Sequence, residues 1–171
     1  MVSFTPELRR ASANDSTDML AIYNQSIQRG EIAFHNDEVA TAELAGVLLF
    51  GDDRYQTYVA VVEGVVRGWA GFRQWHPRAA YASTLKLVVY VAPTHRSRGL
   101  GTALVSLVIA AATRANYRTI LALSPSDDRV AARLSRSTGF FRAGALGAVF
   151  PGTEARRDIV LYQRMLLDAG Q

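Results

Sequence analysis

Val89-Tyr90-Val91-Ala92-Pro93-Thr94-His95-Arg96-Ser97-Arg98-Gly99-Leu100-Gly101-Thr102-Ala103-Leu104 is the stretch whose reading decides the fold. An apolar run ends at Pro93, a basic loop with two glycines follows, and an apolar helical segment opens at its end. Arg96, Gly99 and Gly101 give R-x-x-G-x-G at this loop-to-helix junction. Such a junction leaves backbone N–H groups without carbonyl partners at the positive end of the helix dipole. Glycines there let a ligand approach the backbone, and a phosphate or pyrophosphate suits both features. The lettering is neither the G-x-G-x-x-G of a dinucleotide turn nor a P-loop, whose lysine follows its second glycine directly.

Working outward, Leu85, Leu87, Val89 and Val91 alternate with Thr84, Lys86, Val88 and Tyr90, the period of a central strand. Before it, Thr57–Glu63, a turn at Gly64 and Val66–Gln74 read as a hairpin, followed by the loop Trp75-His76-Pro77-Arg78-Ala79-Ala80-Tyr81. After it come a helix carrying Leu104, Val105, Val108, Ile109 and Ala112, and a strand Thr119–Leu123. Asp127 or Asp128 caps a further helix through Val130, Ala131 and Leu134 that stops at Thr138-Gly139. Phe140–Phe150 and Arg157–Met165 read as two last strands. Toward the N-terminus, Leu8–Ala11 is a short strand and Asn14-Asp15-Ser16 offers caps for a helix through Met19, Leu20, Ile22, Tyr23 and Ile27, ended by Gly30. Thr41 caps a second helix with Leu44, Val47 and Leu48 on one face. The order β α α β β β α β α β β predicts one α/β (α+β) domain over residues 1–171, a mixed sheet with helices on both faces. The ligand is expected where the central strand and the next one diverge.

Composition narrows the function classes. With 171 residues, 49% of them apolar, one domain with a sizeable core is expected. Net charge is +4, and 18 of the 19 basic residues are arginine, leaving Lys86 as the single lysine. The arginines are scattered rather than massed, which argues against a nucleic-acid surface. There is no cysteine, hence no disulfide, no thiolate metal site and no cysteine nucleophile, in keeping with a cytoplasmic setting. His35, His76 and His95 are far apart, so no metal is expected. No apolar run reaches the roughly 18 residues of a membrane span, and the N-terminus lacks a signal-peptide layout.

At this point the chain resembles the phosphinothricin N-acetyltransferase branch of the GNAT superfamily, over nearly its whole length. Four stretches carry the likeness: Ile22-Tyr23-Asn24 with Ala33-Phe34; Arg78-Ala79-Ala80-Tyr81, matching R-x-A-Y; Val89–Pro93 through Gly99-Leu100-Gly101; and Gly139-Phe140 with Asp158. The resemblance implies the GNAT fold, with a mostly antiparallel sheet of about seven strands, and acetyl-CoA or another acyl-CoA as co-substrate. It implies that Arg96 and the backbone of Ser97, Arg98, Gly99, Leu100, Gly101 and Thr102 serve the CoA phosphates. Main-chain groups of Val89 and Val91 would pair with the pantetheine arm, and a backbone N–H near Tyr90 would polarise the thioester carbonyl. Arg78 and Tyr81 would grip an anionic group on a small-molecule amine, with Phe34 and Phe150 at the pocket. A homodimer is also implied.

The chain departs from the family's pattern where chemistry is expected. The family's glutamate, five residues after the tyrosine of R-x-A-Y, is Lys86; an asparagine has become Asp128, counted with the cofactor-binding residues; and the acid expected to reprotonate the leaving thiolate falls on Ser135. The tryptophan-bearing loop before the last strand is Pro151–Arg157. Lys86 has three readings: a partly solvated strand residue, a neutral base with a lowered pKa, or a binder of an anionic substrate. In the last case Glu31, His35 or His76 could take the proton. Arg129, Arg133 and Arg136 form a stripe read as a solvated face, with a 3′-phosphate contact as the alternative; Trp69 and Trp75 are read as packing residues, and Phe140, Phe141 and Phe150 as core strand positions. The implied activity is transfer of an acetyl group to the primary amine of a small, anion-bearing substrate by direct attack in a ternary complex. The alternatives are an acyl-CoA-binding or sensory protein without the chemistry, and a protein that keeps CoA but changes the reaction.

Overall fold

The computed structural model describes residues 5–31, 54–147 and 158–166. The helix expected from Thr41, the residues Phe34, His35 and Phe150, and the loop Pro151–Arg157 lie outside them. Seven strands form one sheet: β1 (Glu7–Arg10), β2 (Thr57–Val62), β3 (Val65–Gln74), β4 (Thr84–Val91), β5 (Thr119–Pro125), β6 (Phe141–Leu146) and β7 (Ile159–Met165). Their spatial order is β1-β2-β3-β4-β5-β7-β6. Every neighbouring pair is antiparallel except β4 with β5. Three α-helices stand among the described residues: α1 (Ser16–Gln28), α2 (Leu100–Arg114) and α3 (Arg129–Ser137).

The alternation in β4 sorts the core into two layers. Leu85 and Leu87 join Ala70 and Phe72 of β3 under Leu104, Val105 and Val108 of α2. Val88 and Tyr90 point the other way, onto Trp69 and the Met19, Ile22, Tyr23 and Ile27 stripe of α1. Trp69 and Phe72, neighbours on opposite faces of β3, are both fully buried. The Trp69 indole N–H reaches the Met19 carbonyl at 3.1 Å, so the larger aromatic of the α1 layer keeps its polar atom satisfied.

The entry to α1 differs from the sequence expectation. Asp15 stands at the N-cap, yet its carboxylate does not bond that helix. It accepts from the Ser12 N–H at 2.8 Å and from both terminal Arg9 nitrogens at 2.8 Å. A charged fork outcompetes a neutral N–H for the same oxygens, and the Arg9 guanidinium holds the Asp15 carboxyl down at about 2. Phe141 is the second difference: it is half-exposed, whereas Phe140 is buried. β6 is the outermost strand, so its side chains lack a second covering layer. Gly139, at φ +77°, is required, because a Cβ there would fall on the Arg164 guanidinium. Arg164 in turn donates to the Thr138 carbonyl at 2.5 Å, fastening the end of α3 to β7.

Candidate active site

The site begins with unequal pairing along β4. Against β3 the strand is paired continuously from Leu85–Gln74 to Val91–Gly68. Against β5 it is paired only at Thr84–Thr119, Leu85–Ile120 and Lys86–Leu121. Beyond Lys86 the two parallel strands separate, while β5 continues to Pro125 on the arm of β7. The Ala92 N–H donates to Arg67 on β3 at 2.8 Å, and Thr84 accepts from Trp75 at 3.3 Å, so even-numbered residues of β4 bond toward β3. Strand alternation then turns the N–H and C=O groups of Val89 and Val91 to the separated edge. The Val91 carbonyl is taken by the Arg96 Nε at 3.1 Å. The Tyr90 amide faces β3, so near Tyr90 the amides on the open edge are those of Val89 and Val91.

The loop that follows delivers a helix N-terminus beside this edge. Ser97 and Gly99 both have positive φ, +59° and +82°, and Gly99 is the N-cap of α2. The first helical hydrogen bond runs from the Ala103 N–H to the Gly99 carbonyl at 3.0 Å. The N–H groups of Leu100, Gly101 and Thr102 therefore lack a carbonyl from their own helix. Gly99 needs its glycine for the left-handed conformation; Gly101 does not. A Cβ on Gly101 would meet Leu134 at 3.5 Å and Val91 at 3.8 Å, ordinary contacts. Glycine near the start of a helix costs up to about 1 kcal/mol relative to alanine, so a close-approaching ligand is the physical reason left for it. Arg96 is differently employed than a phosphate contact would require: its guanidinium forks onto Glu31 at 2.7 and 2.6 Å.

Between β4, β5, the end of α1 and α3 lies a cavity of about 240 Å³ lined by Lys86, Val89, Tyr90, Asp128 and Ser135 among others. Lys86 is half-buried on the α1 face, directly across from Arg73 of β3. Burial pulls the Lys86 ammonium below the usual lysine value. Arg73 is itself buried, donating to the Phe72 carbonyl at 2.8 Å and to the Thr57 hydroxyl at 3.0 Å, and burial lowers it to about 10. Further along the cleft, Tyr90 packs edge-on to Tyr23 at 4.9 Å and against Trp69 at 4.8 Å. Burial, then charge repulsion from Tyr23 and a hydrogen bond with it, push the Tyr90 phenol far up, so it stays protonated.

Both carboxylates on the described wall are committed. Burial raises Glu31, but hydrogen bonds from Arg96 and Arg29 outweigh it and its carboxyl ends below the ordinary value. That makes Glu31 a weak proton acceptor. Asp128 caps α3, accepting from the Val130 and Ala131 N–H groups at 2.9 Å each. Of the two aspartates offered by the sequence, this one is the cap. Ser135 is buried on the cleft side of α3, its carbonyl receiving the Phe140 N–H at 2.8 Å.

Other expected residues fall elsewhere. Arg78 and Tyr81 sit on the exposed turn between β3 and β4, outside the described wall of the cavity. His76 lies against Tyr81, ring centroids 4.9 Å apart, and accepts the Arg78 N–H at 3.2 Å, which ties this turn together. His95 lies in the turn that leads into α2, its pKa lowered by burial and then by Arg67 and Arg98. Arg129, Arg133 and Arg136 are exposed. Arg73 had no sequence signal: nothing in Phe72-Arg73-Gln74 distinguishes a buried arginine from one at a strand end. Among the described residues there is no group of three potential metal ligands, and no helix is long and apolar enough to cross a membrane.

Residues 19–140 match the profile described as the Acetyltransferase (GNAT) family. The chain is 29% identical over 158 residues to a phosphinothricin N-acetyltransferase of Streptomyces viridochromogenes, covering 92% of this chain and 86% of that one. It is 31% identical over 137 residues to an L-methionine sulfoximine/L-methionine sulfone acetyltransferase of Salmonella typhimurium, covering 78% of each. Among solved structures, a GNAT superfamily phosphinothricin acetyltransferase from Sinorhizobium meliloti in complex with AcCoA superposes with a TM-score of 0.88. It is 27% identical, with 95% of this chain and 89% of that one covered.

Proposed function

The chain belongs to the acetyltransferase (GNAT) family, and from that premise we propose that it transfers an acetyl group from acetyl-CoA to the primary amine of a small acceptor that also carries an anionic group. The observation that carries this reading is the parting of β4 from β5 beside a helix start whose first three N–H groups no carbonyl of their own helix takes. The N–H groups around Gly99, Leu100, Gly101 and Thr102 hold the pyrophosphate, aided by the helix dipole. Val89 and the Val91 amide extend the sheet onto the pantetheine arm, and one of these amides polarises the thioester carbonyl. Arg96 acts on the phosphates indirectly, by shaping the loop through Val91 and Glu31.

The amine attacks the thioester directly in a ternary complex, where proximity supplies much of the acceleration. A proton must leave the attacking ammonium. Among the described residues that line the cavity, Glu31 and Asp128 are committed, which leaves Lys86 there, in the neutral form that burial favours, as the base that serves directly or through water. Ser135, buried on the cleft side of α3, returns a proton to the leaving thiolate. Arg78 and Tyr81 approach the acceptor's anionic group from the exposed turn. The acceptor class rests on the relatives whose names specify phosphinothricin and methionine sulfoximine or sulfone. A cytoplasmic setting is supported by the cysteine-free sequence, and a homodimer by the family resemblance.

The test is release of CoA thiol from acetyl-CoA with phosphinothricin, L-methionine sulfoximine, L-methionine sulfone and a panel of amino acids. Turnover with an anion-bearing amine is expected. Saturable CoA binding without turnover on any amine would instead establish the sensory reading, which the lysine in place of the family's glutamate favours.

A further inference from the structure

We propose that Lys86 is itself an acyl acceptor: the protein acylates its only lysine from bound acyl-CoA and thereby shuts its own site. This rests on the acyl-CoA reading of the cleft and adds to it a covalent modification of the chain. Lys86 is the only primary amine among the side chains. It stands at the last paired position before β4 and β5 separate, and lines the cavity together with Val89 and Tyr90. Lys86 and Val89 stand three residues apart on β4 and border the same cavity, so a thioester aligned on the open edge at Val89 enters a space that Lys86 lines. Burial favours the uncharged amine over the ammonium, and an uncharged amine is the nucleophile that acyl transfer needs.

The reaction balances without a further reagent. The Lys86 Nζ lone pair forms a bond to the thioester carbonyl carbon, the C–S bond breaks, and CoA leaves as thiolate. The proton shed by Nζ goes to that thiolate, directly or through water, giving acyl-Lys86 and free CoA thiol. The product is an amide, far less reactive toward amines than a thioester, so the acyl group is not passed on. Acylation also abolishes the base and adds an acyl group to a small cavity. The modification is thus terminal, and it accumulates when acyl-CoA is present without an acceptor.

The experiment uses the full chain with acetyl-CoA alone. Intact mass and peptide mapping follow the modification, and calorimetry with CoA runs in parallel on the same preparation. One acetyl group on the Lys86 peptide is expected, at a rate that saturates with acetyl-CoA and falls at least tenfold in excess CoA. The heat-denatured chain under the same conditions should react far more slowly and without saturation. Lys86→Arg should bind CoA with undiminished heat and take up no acetyl group. CoA binding with an unmodified Lys86, or modification that is linear in acetyl-CoA and indifferent to CoA, overturns this proposal and leaves the transferase reading standing. Absence of any CoA heat in the wild type overturns both.

Discussion

The two edges of β4 are built from one strand and do opposite things. The edge toward β3 is sealed over seven consecutive residue pairs, from Leu85–Gln74 to Val91–Gly68. The edge toward β5 closes over three and then opens at Lys86. On the sealed side, main-chain groups satisfy one another and their side chains bury Trp69 and Phe72. On the open side, Val89 and Val91 present main-chain groups to a cavity, with a helix start alongside. A parallel pair cannot be joined by a tight turn. The crossover through the glycine loop and α2 therefore comes with β4 and β5 as neighbours, and the loop leaves β4 at the end where the strands part. The fold thus places helix-start N–H groups and an open strand edge within one motif.

That contrast can be broken from either side. The largest effect is expected on the sealed edge. Phe72→Ala should cost about 3–5 kcal/mol in urea unfolding, with CoA affinity of the folded protein unchanged. A matching loss of affinity would mean the two edges are not separable. On the open edge, Lys86→Met should lower kcat/KM by about 10²–10⁴-fold while the unfolding midpoint stays near wild type. The wild-type rate should rise with pH through the lowered Lys86 pKa, because only the neutral amine accepts a proton, and this alkaline limb should vanish in the variant. Retention of the limb would assign it to another group.

Smaller effects lie away from the edge or within the loop. Asp15 titrates near 2 in the folded chain and near 3.8 when unfolded. Its contribution, roughly 1–2 kcal/mol, is fully present above about pH 4 and is lost as pH falls through 2, since the unfolded chain then binds the proton more readily. Asp15→Asn should remove this part of the acid dependence and leave CoA binding intact; an unchanged acid profile would contradict the Arg9–Asp15 pairing. The least effect on stability is expected at Gly101. Gly101→Ala should stabilise by up to about 1 kcal/mol yet weaken CoA by about tenfold, the scale of one hydrogen bond to a charged group. Stabilisation with unaltered affinity would show that no ligand approaches the backbone there.

Legibility varied with how local the cause was. The R-x-x-G-x-G junction, the period-two run of β4 and the cap at Asp128 were readable because each rests on neighbours within a turn or a strand. Asp15 stands at the N-cap that the sequence offers, but its carboxylate turns to Arg9 on β1, a partner no local pattern shows, and Phe141 is exposed because burial depends on which strand ends up at the sheet's edge. Arg96 is the sharper case. Its motif points to phosphate, but the end of α1 brings Glu31 to it from 65 residues away and takes up the guanidinium.

The sequence alone determined the strand-loop-helix unit, the order of the described elements and the family, because alternation, helical spacing and glycine chemistry act over a few residues and need no knowledge of the whole. Only the tertiary structure decided where β4 leaves β5, that Glu31 and Asp128 are spoken for, and that Lys86 faces a cavity in surroundings that favour its uncharged form. Those facts depend on which distant segments share a space and how much water they exclude, and desolvation is a property of the assembled fold rather than of any stretch of chain.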